Sequence, residues 1–216
     1  GGAMKTEGML KYSLNKERAT LRDARVPHRG GLEYKISLNK DSLHIEELKS
    51  VSEPFKFTAK ASLNNFLSKD PSVSFDLVSD SFQVNKSVDY LPLKFFPEEY
   101  HALVQSRFKN GSIKIKSLKF DGSVDQLRDL AREENRGLIS TEFEMKHVDW
   151  QSPLPALQNV TGTFSVHKGN TTLHITKAKY ENQPINNVHG TINDIMTRPL
   201  VDLEVENEVE MSQFHG

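Results

Sequence analysis

Apolar and polar residues alternate with a period of two along most of this chain, and that pattern leaves few folds open. Leu32, Tyr34, Ile36 and Leu38 alternate with Glu33, Lys35 and Ser37. Phe55, Phe57, Ala59, Ala61 and Leu63 alternate with Lys56, Thr58, Lys60 and Ser62, and Val73, Phe75 and Leu77 alternate with Ser74 and Asp76. Successive side chains of a strand point to opposite faces, so each segment has one greasy side and one wet side. Parallel strands, buried on both faces, lack that contrast; antiparallel sheet is the expectation. The last third repeats the scheme. Val160, Gly162, Phe164 and Val166 share a face, Leu173 and Ile175 follow a turn, and Val201, Leu203 and Val205 alternate with Asp202, Glu204 and Glu206. The stretches Asn39–Ser42 and His167–Asn170 carry the residues that hairpin turns need.

The two ends of the chain resemble each other. Leu32–Lys49 sets against Val160–Lys179, each with a turn ahead of a Leu-His-Ile tripeptide, at Leu43–Ile45 and Leu173–Ile175. Ala61–Leu77 sets against Gly190–Val205 at a similar offset. A near-constant offset is how a duplicated supersecondary unit reads. Between the copies lie two helix candidates. Phe95–Gly111 has Pro97 in a first-turn position and an apolar stripe of Tyr100, Leu103, Val104 and Phe108. Ser123–Gly137 opens with a capping box, Ser123 and Gln126, and Gly137 can end it. The expected fold is mainly β: curved antiparallel sheet forming a groove or open sandwich from two repeated modules, with two short helices between them. The expected divisions are a tag scar over residues 1–4, a first module over 5–90, a helix-strand-helix connector over 91–137 and a second module over 138–216.

Composition removes several function classes. Charged residues make up 26% of the 216 residues, yet the formal net charge is −1, so no global basic field exists to hold nucleic acid. There is no cysteine, which excludes disulfides, thiolate metal sites and a cysteine nucleophile. No apolar run is long enough to span a bilayer as a helix. The eight histidines, His28, His44, His101, His147, His167, His174, His189 and His215, form no tight ligand spacing. His167 and His174 flank a hairpin, where cross-strand ligation is conceivable, but surface positions are the expectation. No G-x-S-x-G, phosphate-binding loop or dinucleotide fingerprint occurs. Lys114, Lys116 and Lys119 read as a solvated outer strand face rather than a phosphate patch. Trp150, beside Asp149, reads as an anchor for a strand end. The expectation is a protein with no catalytic, cofactor or metal residues, whose informative feature is its long apolar face.

Several motifs point further. These are Leu91-Pro92 ahead of a helix candidate, Asn110–Gly122 as the strand after it, and the strand ending in Val148–Phe164. Leu173–Ile185 then supplies a pair of strands, and Val188–Ile195 closes the unit. With them the chain resembles the AsmA-like proteins, including the TamB and YhdP groups, the bacterial relatives of bridge-like lipid-transfer proteins. The resemblance covers Leu91 to Val209, with the first third as a weaker copy. It implies a segment of a large periplasmic protein anchored in the inner membrane, whose β modules stack into a groove that shields phospholipid acyl chains. The implied partners are those chains, neighbouring modules of the same parent and envelope proteins, with no nucleic acid and no enzyme activity. The groove candidates are the apolar members of the alternating strands: Phe55, Phe57, Val73, Phe75, Leu77, Ile113, Ile115, Phe143, Met145, Phe164, Val166, Leu173, Ile175, Val201, Leu203 and Val205. The alternative is a structural or protein-interaction β module with a closed core.

Overall fold

A computed structural model of the chain describes residues 4–13, 29–51, 55–87, 109–130, 132–150, 156–193 and 200–205. Its strands are β1 (Met4–Ser13), β2 (Arg29–Leu38), β3 (Ser42–Ser50), β4 (Phe57–Asn64), β5 (Ser72–Ser79) and β6 (Phe82–Gln83), then β7 (Ser112–Ser123), β8 (Ile139–Trp150), β9 (Leu157–His167), β10 (Asn170–Tyr180), β11 (Gln183–Asn193) and β12 (Leu200–Val205). All belong to one open antiparallel sheet in chain order from β1 to β12, except that the two-residue β6 pairs only with β7, which lies beside β5. Such a meander needs only short connections and places consecutive strands side by side. No second sheet lies among the described residues.

Local chemistry closes the hairpins. Between β9 and β10, Lys168 and Gly169 both take positive φ, 50° and 78°, as a two-residue turn matched to strand twist requires. Glycine meets that demand without steric cost. Glu181 and Asn182 do the same between β10 and β11, at 47° and 66°. Between β2 and β3 the Asn39 amide donates to the Ser42 carbonyl at 2.8 Å and closes the corner.

Helix is sparse among the described residues. The one-turn α1 (Val84–Ser87) follows β6, and α2 (Val124–Arg128) follows β7. The capping box expected at Ser123 is present: the Gln126 amide donates to the Ser123 hydroxyl at 3.2 Å, and the Ser123 amide donates to Gln126 Oε1 at 2.8 Å. The helix it starts is shorter than the expected Ser123–Gly137. It stops at Arg128, and a 3₁₀ turn (Glu133–Leu138) carries the chain into β8. Past the helix, the Asp129 carbonyl accepts the Arg132 backbone amide at 3.3 Å, as a tight turn does, and the Asn135 side-chain amide at 2.8 Å. The candidate helix at Phe95–Gly111 falls mainly outside the described residues, as does Leu91-Pro92. One strand was not expected. β1 pairs along its whole length with β2, yet Thr6 and Gly8 dilute its apolar row and hide its alternation.

Irregular register marks a band across the middle of the sheet. Register shifts fall in line at Met145/Val148 on β8 and Ile175/Lys177 on β10, while those at Ile115/Ser117 on β7 and Ile45/Leu48 on β3 lie off that line. His147 and Asn159, both at 55°, and Asn187, at 52°, take left-handed conformations inside strands along the same band. Bulges add a residue to one strand of a pair, bend it and increase its twist.

Candidate functional site

Register settles which residues share a face, because directly opposed residues in an antiparallel pair point the same way. Ile115, Phe143, Phe164 and Leu173 form one row across β7 to β10, continued by Gly190 and Leu203 on β11 and β12. Ile113, Met145, Gly162, Ile175, Val188 and Val205 form the next. Val166 lies in a third, between Thr141 and Thr171, with Val201 at its end. On the other side of β7, Phe75 opposes Phe120, Leu77 opposes Leu118 and Val73 opposes Gly122. The rows run on through Ala61, Ala59 and Leu63 of β4, and Phe57 opposes Ser79. Fifteen of the sixteen groove candidates therefore occupy one continuous face. Phe55 precedes β4 and joins the same side by packing edge-on against Phe82 at 4.8 Å.

Exposure divides these residues. Phe55, Ile115, Met145, Leu173 and Ile175 are buried, Ile175 completely. They belong to two clusters. One joins Met145, Val148, Val160, Leu173, Ile175, Ala178 and Val188. The other joins Phe55, Phe82 and Ile115. Phe57, Val73, Phe75, Leu77, Ile113, Phe143, Phe164 and Val166 are half-buried and keep accessible surface. Phe143 and Phe164 lie 6.2 Å apart, and Phe75 stacks on Phe120 at 5.8 Å, so aromatic rings pave the middle of the face. The side chains of Val201, Leu203 and Val205 lie outside the described residues. Gly162 sits in the floor between Met145 and Ile175, and a Cβ there would come within 2.1 Å of the His174 carbonyl oxygen. Its bare backbone allows β9 and β10 to approach at the bulge.

The opposite face is polar and internally paired. Lys116 meets Glu142 across β7 and β8, Lys119 meets Asp76 across β7 and β5 at 3.3 Å, and Lys146 meets Glu144 within β8 at 2.9 Å. The hydrogen bond to Glu142, and then its charge, hold the Lys116 ammonium above the usual lysine range. The hydrogen bond from Lys146 outweighs desolvation and holds the Glu144 carboxyl below the usual glutamate range. These lysines spend their charge on neighbouring strands, as a solvated outer face should. All are exposed, so each pair contributes little to stability.

Polar chemistry concentrates at the bulges. His147 Nδ1 and Asn159 Oδ1 share a hydrogen bond of 2.7 Å, the Asn159 amide donates to Asp149 at 3.1 Å, and Asn110 donates to the other Asp149 oxygen at 2.6 Å. Asp149 thus ties β8 to β9 and to the segment ahead of β7 through amides. Trp150 ends β8 opposite Leu157; its side chain lies outside the described residues. Sequence reading missed this knot, because its partners are far apart in the chain and meet only through the bulges. The surface positions expected for His167 and His174 are observed, and the hairpin does not bring the two together. His167 opposes Asn170, whereas His174 opposes His189, with ring centroids 4.2 Å apart. The two-residue turn at Glu181-Asn182 was the signal, because it fixes that register.

Among the described residues, no three His, Asp or Glu side chains converge as a metal site. No helix among them is long and apolar enough to cross a membrane. No family model matches the chain, and neither curated proteins nor solved structures give a match.

Proposed function

We propose that this chain is a non-enzymatic segment of a periplasmic AsmA-like envelope protein, anchored in the inner membrane through its parent. Its apolar sheet face would shield phospholipid acyl chains in transit between membranes or during outer-membrane assembly. The observation that supports this most is the continuity of that face: apolar side chains line up in register from β4 to β10, backed by a polar, ion-paired face. A hydrocarbon chain in water costs about 0.8 kcal/mol per exposed methylene, so two acyl chains cost on the order of 20 kcal/mol to desorb unaided. A greasy trough removes most of that cost and requires no catalytic group. Neighbouring modules of the parent and other envelope proteins would be the macromolecular partners. Two successive copies of one β unit, β2 to β5 and β9 to β12, would suit a groove lengthened by repetition.

A second reading has its own support. Met145, Val148, Val160 and Ile175 are each at most 2% exposed. That degree of cover fits a structural or protein-interaction module whose core is closed around β8 to β11. Lipid separates the two. Under the transport reading, protein purified from bacteria carries phospholipid in native mass spectra and takes up a fluorescent phospholipid. Phe75→Gln and Leu77→Gln, at half-buried positions, should each reduce uptake severalfold, with circular dichroism showing that each variant still folds. Lipid-free protein that takes up none, or uptake indifferent to both variants, rejects the groove and leaves the closed module.

A further inference from the structure

We infer that His174 and His189 form a two-histidine binding site for a divalent transition-metal ion on the polar face of the sheet. This site is independent of any lipid groove, which would lie on the opposite face. The two residues oppose each other directly on β10 and β11, and their rings are nearly parallel, inclined by 16° with centroids 4.2 Å apart. Both are exposed, so their ring edges reach solvent side by side. A metal ion with bonds of about 2.0–2.1 Å to each of two imidazoles needs their nitrogens about 3–3.5 Å apart. Stacked rings aim their nitrogen lone pairs side by side, so metal binding requires the two imidazoles to fan apart about χ2, a torsion that is broad for histidine.

The surroundings suit a dication. His174 and His189 lie in a shallow depression with Thr163, Thr172, Thr191, Asp202 and Glu204. Glu204 opposes His189 on β12, and Asp202 opposes Thr191 beside it. Two exposed carboxylates thus stand next to two nitrogen donors, and no lysine or arginine lines the depression. The nearest cation along β10 is Lys177, which opposes Asn186 rather than either histidine. Two imidazoles favour zinc, nickel or copper over magnesium or calcium, which prefer all-oxygen ligands. Only two protein ligands converge, so water completes the coordination and binding is reversible, weaker than at a four-ligand structural zinc site.

The test is titration of tag-free full-length protein with Cu²⁺, Ni²⁺ and Zn²⁺ by calorimetry, with Mg²⁺ as the hard-ion control. The expected result is saturable binding of one transition-metal ion per chain at pH 7.5. It should weaken at least tenfold in His174→Ala and in His189→Ala and stay unchanged in His44→Ala on the polar face of β3. Circular dichroism checks that each variant folds, and His189→Asn replaces His189→Ala if the smaller side chain disturbs β11. Absence of binding at millimolar metal overturns the assignment. So does affinity that survives loss of either histidine, or a response to Mg²⁺ equal to that for Zn²⁺.

Discussion

Asn187 shows how much a single backbone position carries here. It holds φ at 52° inside β11, a region that costs an ordinary L-residue roughly 1–2 kcal/mol and glycine almost nothing. Asn187→Val should therefore lower stability by about 1–2 kcal/mol, since branching at Cβ worsens the clash, whereas Asn187→Gly should be nearly neutral. Chemical denaturation of both variants checks this; equal effects would mean that the left-handed conformation is not held in solution. The sequence announced none of the three left-handed positions inside strands. Asn and His are enriched in that conformation, but they also abound in turns and on surfaces. Only the register across β8 to β11 shows that His147, Asn159 and Asn187 lie on one bulged band.

At the scale of the element, strands with the same alternating pattern end up under very different cover. Ile175 on β10 is fully buried, while Leu10, on the same face of the edge strand β1, is 56% exposed. Ile175→Ala should then cost about 2–5 kcal/mol, the range for truncation of a packed aliphatic side chain. Leu10→Ala should cost less than about 0.5 kcal/mol, as exposed substitutions usually do. Urea unfolding midpoints for the two variants compare them directly, and similar losses would show that the apolar face is covered evenly from edge to edge. Period-two patterning separates the two sides of each strand at the groove candidates on β4 to β10. It says nothing about what lies over that face, which depends on neighbours that the pattern does not encode. The same limit applies to α2: the capping box was legible at Ser123 and Gln126, but the early stop at Arg128, with Asp129 and Arg132 in tight turn bonds, was not.

At the scale of the whole molecule, a sheet in one layer exposes much of what a two-layer fold hides. The chain presents 14961 Å² to solvent, against about 10,000 Å² for a compact monomer of its mass. Less surface is then gained on unfolding. The heat-capacity change of unfolding should fall below the roughly 2.6 kcal/mol/K that about 12 cal/mol/K per residue gives for 216 residues. Scanning calorimetry reads this value, and an ordinary or higher one would mean that the apolar face is closed by protein. The sequence by itself determined that the chain is antiparallel β with one apolar side per strand, because side-chain direction alternates with every residue and selection for burial writes that alternation directly. It also determined the corners at Asn39–Ser42 and His167–Asn170, because tight turns restrict which residues can occupy them. Only the tertiary structure decided that the strands join one sheet in chain order, that bulges on four strands align into a band, and that His174 meets His189. Those features depend on register between segments distant in the chain, and register is set by the sum of many weak cross-strand contacts that no single stretch of sequence displays.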